Sequence, residues 1–192
     1  NPFLEIEMGE YRRKYYPNTK VMKPHTGQHL TFCNTLFEVI YTQEVFAPKL
    51  LPWENDGSFV VRMHFNGKTV LFMGDCESSS SKLICDIYGE ALKSDIFQVN
   101  HHGFSGGIPE LYDRVSPTWT LWTTSQVAFE KRITGIPYQF ISHEGLIGDP
   151  YMFKKVGREH CLIADGPIKI LTIENGELHF EYAEPDFENH SI

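Results

Sequence analysis

The chain of 192 residues is short of basic side chains, of paired cysteines and of long apolar runs. Its 17 Lys and Arg stand against 25 Asp and Glu, a formal net charge of -8. Such a surface repels phosphate backbones over its whole extent, so no extended nucleic-acid surface is expected. A phosphate held locally at a metal is still compatible with it. No apolar run reaches about 18 residues, so no membrane partner is expected. The four cysteines, Cys33, Cys76, Cys85 and Cys161, form no Cys-x-x-Cys pair, which argues against a zinc ribbon. A P-loop, a dinucleotide fingerprint and a Gly-x-Ser-x-Gly elbow are all missing. No initiator Met opens the chain, and Asn1–Glu5 has neither the basic nor the apolar region of a signal peptide. The expectation is a cytoplasmic location, for a chain that reads as a processed or partial product.

What is present is the composition of a globular domain: 41% hydrophobic and 14% aromatic residues, enough for one sizeable core. Residues 1–19 are polar and tyrosine-rich and read as a helix or a tail; 20–184 read as one domain and 185–192 as a second tail. Strand patterns fall at Lys20–Lys23, Leu30–Cys33 and Leu36–Thr42. Residues 43–57 hold two prolines and read as a loop. A hairpin follows, Ser58–Phe65 and Lys68–Met73 around Asn66-Gly67, a pair that tolerates positive φ. Ser78–Ser81 can cap a helix running to about Leu92, with Leu83, Ile84, Ile87, Tyr88 and Ala91 on one face. Next come a buried strand at Ile96–Asn100, a glycine-rich loop at Gly103–Gly107 and a short helix from Pro109. A strand at Thr118–Thr124 precedes helical pieces near Val127–Ile133 and Tyr151–Val156. Three strands close the chain at His160–Ala164, Ile168–Ile173 and Glu177–Tyr182, with Asp165-Gly166 and Asn175-Gly176 as turns. Strands with intervening helices indicate an α/β or α+β fold.

The chemistry concentrates at two strand ends. Val70–Met73 is an apolar run that stops in Gly74-Asp75-Cys76-Glu77, and Ile96–Val99 stops in Asn100-His101-His102-Gly103. Taken alone, Asp75 is an ordinary turn or helix-cap residue. Taken together, the two ends can aim a carboxylate and an imidazole at one point, which is how a metal site is built at a sheet rim. Consecutive histidines on an extended strand point to opposite sides, so one can bind metal while the other donates a proton or holds substrate. Glu77 either serves the same rim or favours the helix N-terminus by its charge. The thiol of Cys76 falls near the site, whereas Cys33, Cys85 and Cys161 sit in apolar contexts and read as buried small hydrophobes. His143, in Ser142-His143-Glu144-Gly145, reads as a loop residue able to approach the rim. His64, His160 and His179 lie in strand-like runs and read as structural or exposed. Trp53, Trp119 and Trp122 read as packing residues, because no basic patch flanks them as a base-stacking platform requires.

These motifs resemble the second half of a metallo-β-lactamase-fold hydrolase, of the subgroup found in competence DNA-uptake proteins and choline-phosphate esterases. The resemblance rests on Asn55 and Ser58 before a hairpin, Gly74-Asp75 after it, a helix, His101-His102-Gly103, and Pro117 ahead of a further strand. It covers most of residues 20–180. It implies the C-terminal half of an αββα sandwich and two metal ions, usually zinc, sometimes manganese or iron. Asp75 would match the bridging carboxylate and one of the two histidines the last metal-binding imidazole. The sequence leaves that order open; His102 is taken as the ligand, and His101 as a catalytic group or substrate contact.

The departure from that family is an absence upstream. Its His-x-His-x-Asp-His run does not occur, and His25 and His29 enclose only Thr-Gly-Gln. A tetrahedral zinc with one carboxylate and one imidazole leaves positions to water and binds weakly. The expectation is therefore a metal-dependent hydrolase of a phosphodiester or related ester, using a metal-activated water, of which this chain carries only part of the site and is impaired alone. The alternative is a non-catalytic, truncated module acting in binding or as a homo-oligomer.

Overall fold

The computed structural model describes residues 2–43, 54–104, 107–134, 143–166 and 168–183. Seven strands lie side by side in chain order: β1 (His29–Phe32), β2 (Thr35–Tyr41), β3 (Val60–Phe65), β4 (Lys68–Phe72), β5 (Ile96–Gln98), β6 (Trp119–Trp122) and β7 (Cys161–Ile163). Strands β1 to β4 run antiparallel, and β4 to β7 run parallel. The change of direction has a local cause. Asn66 and Gly67 adopt φ of 46° and 77°, so Phe65 and Lys68 pair directly across a tight hairpin. Parallel neighbours instead need crossovers. These are α2 (Ser78–Tyr88), α3 (Pro109–Val115), and α4 (Gln126–Ile133) with α5 (His143–Val156). A separate hairpin, β8 (Ile168–Glu174) and β9 (Glu177–Ala183), turns at Asn175-Gly176, and α1 (Pro2–Tyr15) opens the chain. The class is α/β with a mixed sheet, as the alternation of strands and helices implies.

The core runs from the ends of β2 and β3, at Ile40, Tyr41 and Val60, through the parallel half. Ile96 and Phe97 of β5 are fully buried, as expected of a strand covered on both faces. On the helical side Phe97 meets Tyr112 of α3 at 5.6 Å, and Trp122 meets Phe129 of α4 at 4.9 Å, both edge to face. Each such burial contributes on the order of 1.5–3 kcal/mol. On the other side Trp119 packs on Phe180 of β9 at 4.3 Å. Among the described residues no helix is long and apolar enough to cross a membrane.

Several expectations are corrected. Lys20–Lys23 is not a strand: it lies exposed between Pro17 and Pro24, with no ladder partner to draw it into the sheet. Cys33 is exposed, because Cys33 and Asn34 form the β1–β2 turn and Cys33 takes a φ of 51°. Cys85 is buried as expected, and Cys161 only partly so. The second helix ends at Tyr88, since Gly89 adopts a φ of 50°. It buries Ser80, Ser81, Ile84 and Cys85, leaving Ile87 in solvent. His143 is the first residue of α5 and not a loop residue; its side chain lies outside the described residues. Trp53, most of the 43–57 loop and the 185–192 tail also lie outside them.

Candidate metal centre

Three interlocking contacts bring the ends of β4 and β5 together. Gln98 Oε1 accepts from the backbone N–H groups of Met73 and Gly74, each at 2.9 Å. The His101 N–H donates to Gly74 O at 2.9 Å. Asn100 Nδ2 donates to Cys76 O at 3.1 Å and to Ser81 Oγ at 3.0 Å. Gly74 is needed here twice over. It adopts a φ of 57°, and a Cβ on it would stand 3.2 Å from Ser58 Cβ. Ser58 Oγ then accepts the Asp75 N–H at 3.1 Å, which fixes the direction in which the aspartate leaves the strand.

The first turn of α2 is held from outside. Asp56 is fully buried, and its Oδ1 accepts the N–H of Glu77 at 3.3 Å and of Ser80 at 2.9 Å. A carboxylate from another segment thus does the work expected of Ser78–Ser81. Ser80 Oγ instead donates to Glu77 O at 3.1 Å. Glu77 Oε1 accepts from Asn55 Nδ2 at 3.0 Å and stands 3.7 Å from His101 Nδ1.

The two histidines do not alternate on a strand. β5 ends at Gln98, and His101 (φ 45°, ψ 45°) and His102 (φ 57°, ψ 16°) are both left-handed, followed by Gly103 at φ 77°. This conformation costs non-glycine residues roughly 1–2 kcal/mol each. Two in succession mark a backbone held in place by its surroundings. As a result both rings stay near one rim, with centroids 6.1 Å apart.

His102 has the better-defined environment. Its Nδ1 lies 2.9 Å from Thr123 O and 2.8 Å from Thr123 Oγ1, just beyond β6. A carbonyl only accepts, so Nδ1 carries a proton, and in the neutral ring Nε2 is then the nitrogen with the lone pair. That Nε2 faces Asp75 Oδ1 at 3.4 Å. A charge-assisted hydrogen bond would be shorter, at about 2.7–2.9 Å. Two donors that each bind one tetrahedral ion at about 2.0–2.2 Å stand about 3.4 Å apart. An imidazole whose other nitrogen is tied to a carbonyl is also the usual form of a metal-binding histidine. Asp75 and His102 therefore fit a shared cation. Among the described residues no third His, Cys, Asp or Glu joins them in a metal-holding group. His25 and His29 are exposed in and beside β1, and His64 pairs with Glu38 at 3.1 Å.

Cys76 belongs to the core and not to the rim. It is fully buried, and burial pushes its thiol up to about 12. His160 packs edge-on against Trp119 at 4.7 Å, and His179 is exposed on β9. Four contributors escaped the sequence reading: Asp56, Gln98, Asn100 and Thr123. Gln98 and Asn100 carried a signal, as amides inside an otherwise apolar strand. Asp56 and Thr123 carried none, since each acts on a residue about twenty positions away.

No family model matches this chain, and no curated protein matches it.

Proposed function

We propose that this chain forms part of the active site of a metal-dependent hydrolase of the metallo-β-lactamase type, acting on a phosphodiester or related ester. The observation that carries the reading is the approach of His102 Nε2 to Asp75 Oδ1 at 3.4 Å, with His102 Nδ1 anchored on Thr123. Asp75 and His102 would hold the metal, zinc in the first instance. When bound, the metal activates water and polarises the scissile ester. Thr123 keeps the His102 ring in the tautomer that can bind a cation. Ser58 and Gly74 set the direction of the Asp75 carboxylate. His101, beside Glu77, is the group placed to meet charge developing on the substrate.

A second reading, a non-catalytic module that binds or oligomerises, is favoured by the count of only two candidate ligands among the described residues. Elemental analysis of the purified chain and turnover of a chromogenic aryl phosphodiester separate the two. The hydrolase reading expects bound metal that is lost in Asp75→Ala and in the His101→Ala/His102→Ala double variant. A chain that takes up no metal from micromolar to millimolar zinc, yet forms a stable oligomer, would sink it.

A further inference from the structure

The Lys and Arg of this chain are not spread evenly. Between Glu10 and Glu38 stand Arg12, Arg13, Lys14, Lys20 and Lys23 and no acid, while the rest of the chain sets 12 Lys and Arg against 25 Asp and Glu. Exposed apolar side chains concentrate in the same place. Of twelve large ones among the described residues, six are Met8, Tyr11, Tyr15, Tyr16, Val21 and Met22, each more than half exposed. We propose that residues 8–23 are a docking surface for an anionic lipid bilayer, which the chain meets peripherally. The proposal stands apart from the hydrolase reading and from its metal.

Three features support this assignment. The first is that the surface is built locally. The last turn of α1 carries Arg12, Arg13 and Lys14. The Tyr16 N–H donates to Arg12 O at 2.7 Å, the Thr19 N–H to Tyr16 O at 3.0 Å, and Arg12 Nη1 to Thr19 O at 2.7 Å, so the chain after Pro17 folds back beside the helix. A groove of about 560 Å³ lies between them, with Met8, Tyr11, Tyr16 and Val21 in its walls beside Arg12. Ligand sites occupy about 300–1,000 Å³, so the groove is large enough to admit part of an acyl chain. The second is the pairing of chemistries. Cations are drawn to lipid phosphates, and apolar side chains set among them enter the headgroup region, the composition of an interfacial segment. Tyr suits that depth, with an apolar ring and a wet hydroxyl. The third is orientation. The acidic remainder of the chain is repelled by the same bilayer within a Debye length of about 10 Å, so the molecule approaches by this end.

A nucleic-acid strand fits this surface less well. Bases stack on open aromatic faces. Here the Tyr11 ring centroid lies 4.6 Å from that of Tyr15 and 6.2 Å from that of Tyr16, and Lys14 Nζ stands 4.8 Å over the Tyr15 ring. Met8, Val21 and Met22 have no flat face to offer a base.

The test is co-sedimentation of the full chain, in EDTA, with vesicles of phosphatidylcholine alone or mixed with phosphatidylserine. The expected result is binding to the mixed vesicles only, weakened by high salt. Each cation near an anionic surface contributes about fivefold, so Arg13→Gln/Lys14→Gln/Lys20→Gln should bind about 100-fold more weakly. Val21→Ser/Met22→Ser removes apolar area and should bind about tenfold more weakly. Lys154→Gln, which removes an exposed cation from α5, should bind as the wild type does. All six side chains are exposed, and thermal midpoints check that each variant folds. Equal sedimentation with both kinds of vesicle, none with either, or a triple variant that binds like the wild type overturns the proposal. Tighter binding to a single-stranded oligonucleotide than to mixed vesicles at equal phosphate also overturns it, and assigns the surface to nucleic acid. No metal enters this assay, so failed sedimentation counts against the docking surface alone and failed zinc uptake against the hydrolase reading alone.

Discussion

Two aspartates stand at opposite ends of the same sheet, and their surroundings differ in kind. Asp95, just before β5, is filled by donors. Its Oδ2 accepts from Thr69 N and Thr69 Oγ1, both at 2.9 Å, and its Oδ1 pairs with Lys68 Nζ at 3.3 Å. Asp75, just after β4, has its Oδ1 turned to an imidazole nitrogen 3.4 Å away, and its side chain is 43% exposed. The first carboxylate closes a strand end. The second faces a group that, in the tautomer Thr123 selects, offers a lone pair instead of a proton. What separates the two aspartates is the donor set around each.

The largest effect expected from this contrast is on metal. Asp75→Asn and His102→Ala should each lower zinc affinity by about 100-fold or more, beyond the 10–100-fold typical of supporting residues. Asp95→Asn should leave it unchanged. Equilibrium dialysis measures all three, and equal loss at both aspartates would erase the comparison.

Next is the support beneath Asp75. Asp56→Ala removes the acceptor for two N–H groups of α2, and its other oxygen is buried without a hydrogen-bond partner among the described residues. Unfolding free energy should fall by about 1–2 kcal/mol, as for loss of a helix cap, and denaturant titration reads it. A neutral result would mean that the desolvation of Asp56 offsets its two bonds.

His101→Gly should act in the opposite direction, raising stability by about 1 kcal/mol because glycine takes the left-handed conformation freely. Any turnover of the aryl phosphodiester should fall at the same time. Thermal unfolding and rate measured on one sample would show whether the strained backbone is retained for the site.

The smallest effect concerns pH. Burial pushes the Asp95 carboxyl up, but the Thr69 N–H and hydroxyl and Lys68 outweigh it and hold it below the usual aspartate range. A depressed folded pKa gives stability that is fully present above about pH 4 and is lost as pH falls through the folded value. Asp95→Asn should therefore flatten the acid limb of a stability-against-pH curve, with a loss under about 1 kcal/mol at neutral pH. An unchanged acid limb would mean that Asp95 gains nothing from its donors.

The candidate site was legible in part because its residues sit where apolar runs stop. Gly74-Asp75 and His101-His102-Gly103 announce strand ends, and period-two alternation with Asn66-Gly67 announces the hairpin before them. The alternation rule failed at the histidines, because it assumes extended backbone and the chain had already left β5 at Gln98. Helical periodicity misjudged α2, which buries Ser80 and Ser81 and exposes Ile87. Local pattern cannot report that a polar helix face will find partners such as Asn100, 19 residues away.

By itself the sequence pointed to an α/β or α+β fold, to the sheet-edge turns and to two strand ends as candidate ligand carriers. These follow from side-chain alternation and from the few residues that tolerate positive φ, both local properties. Only the tertiary structure decided that His102 and not His101 faces Asp75, that Asp56 caps α2 from another segment, and that Arg132 lies over Phe104 beside the imidazoles. Each depends on a contact between residues more than about fifteen positions apart, and such contacts exist only once β4, β5 and β6 have come into register.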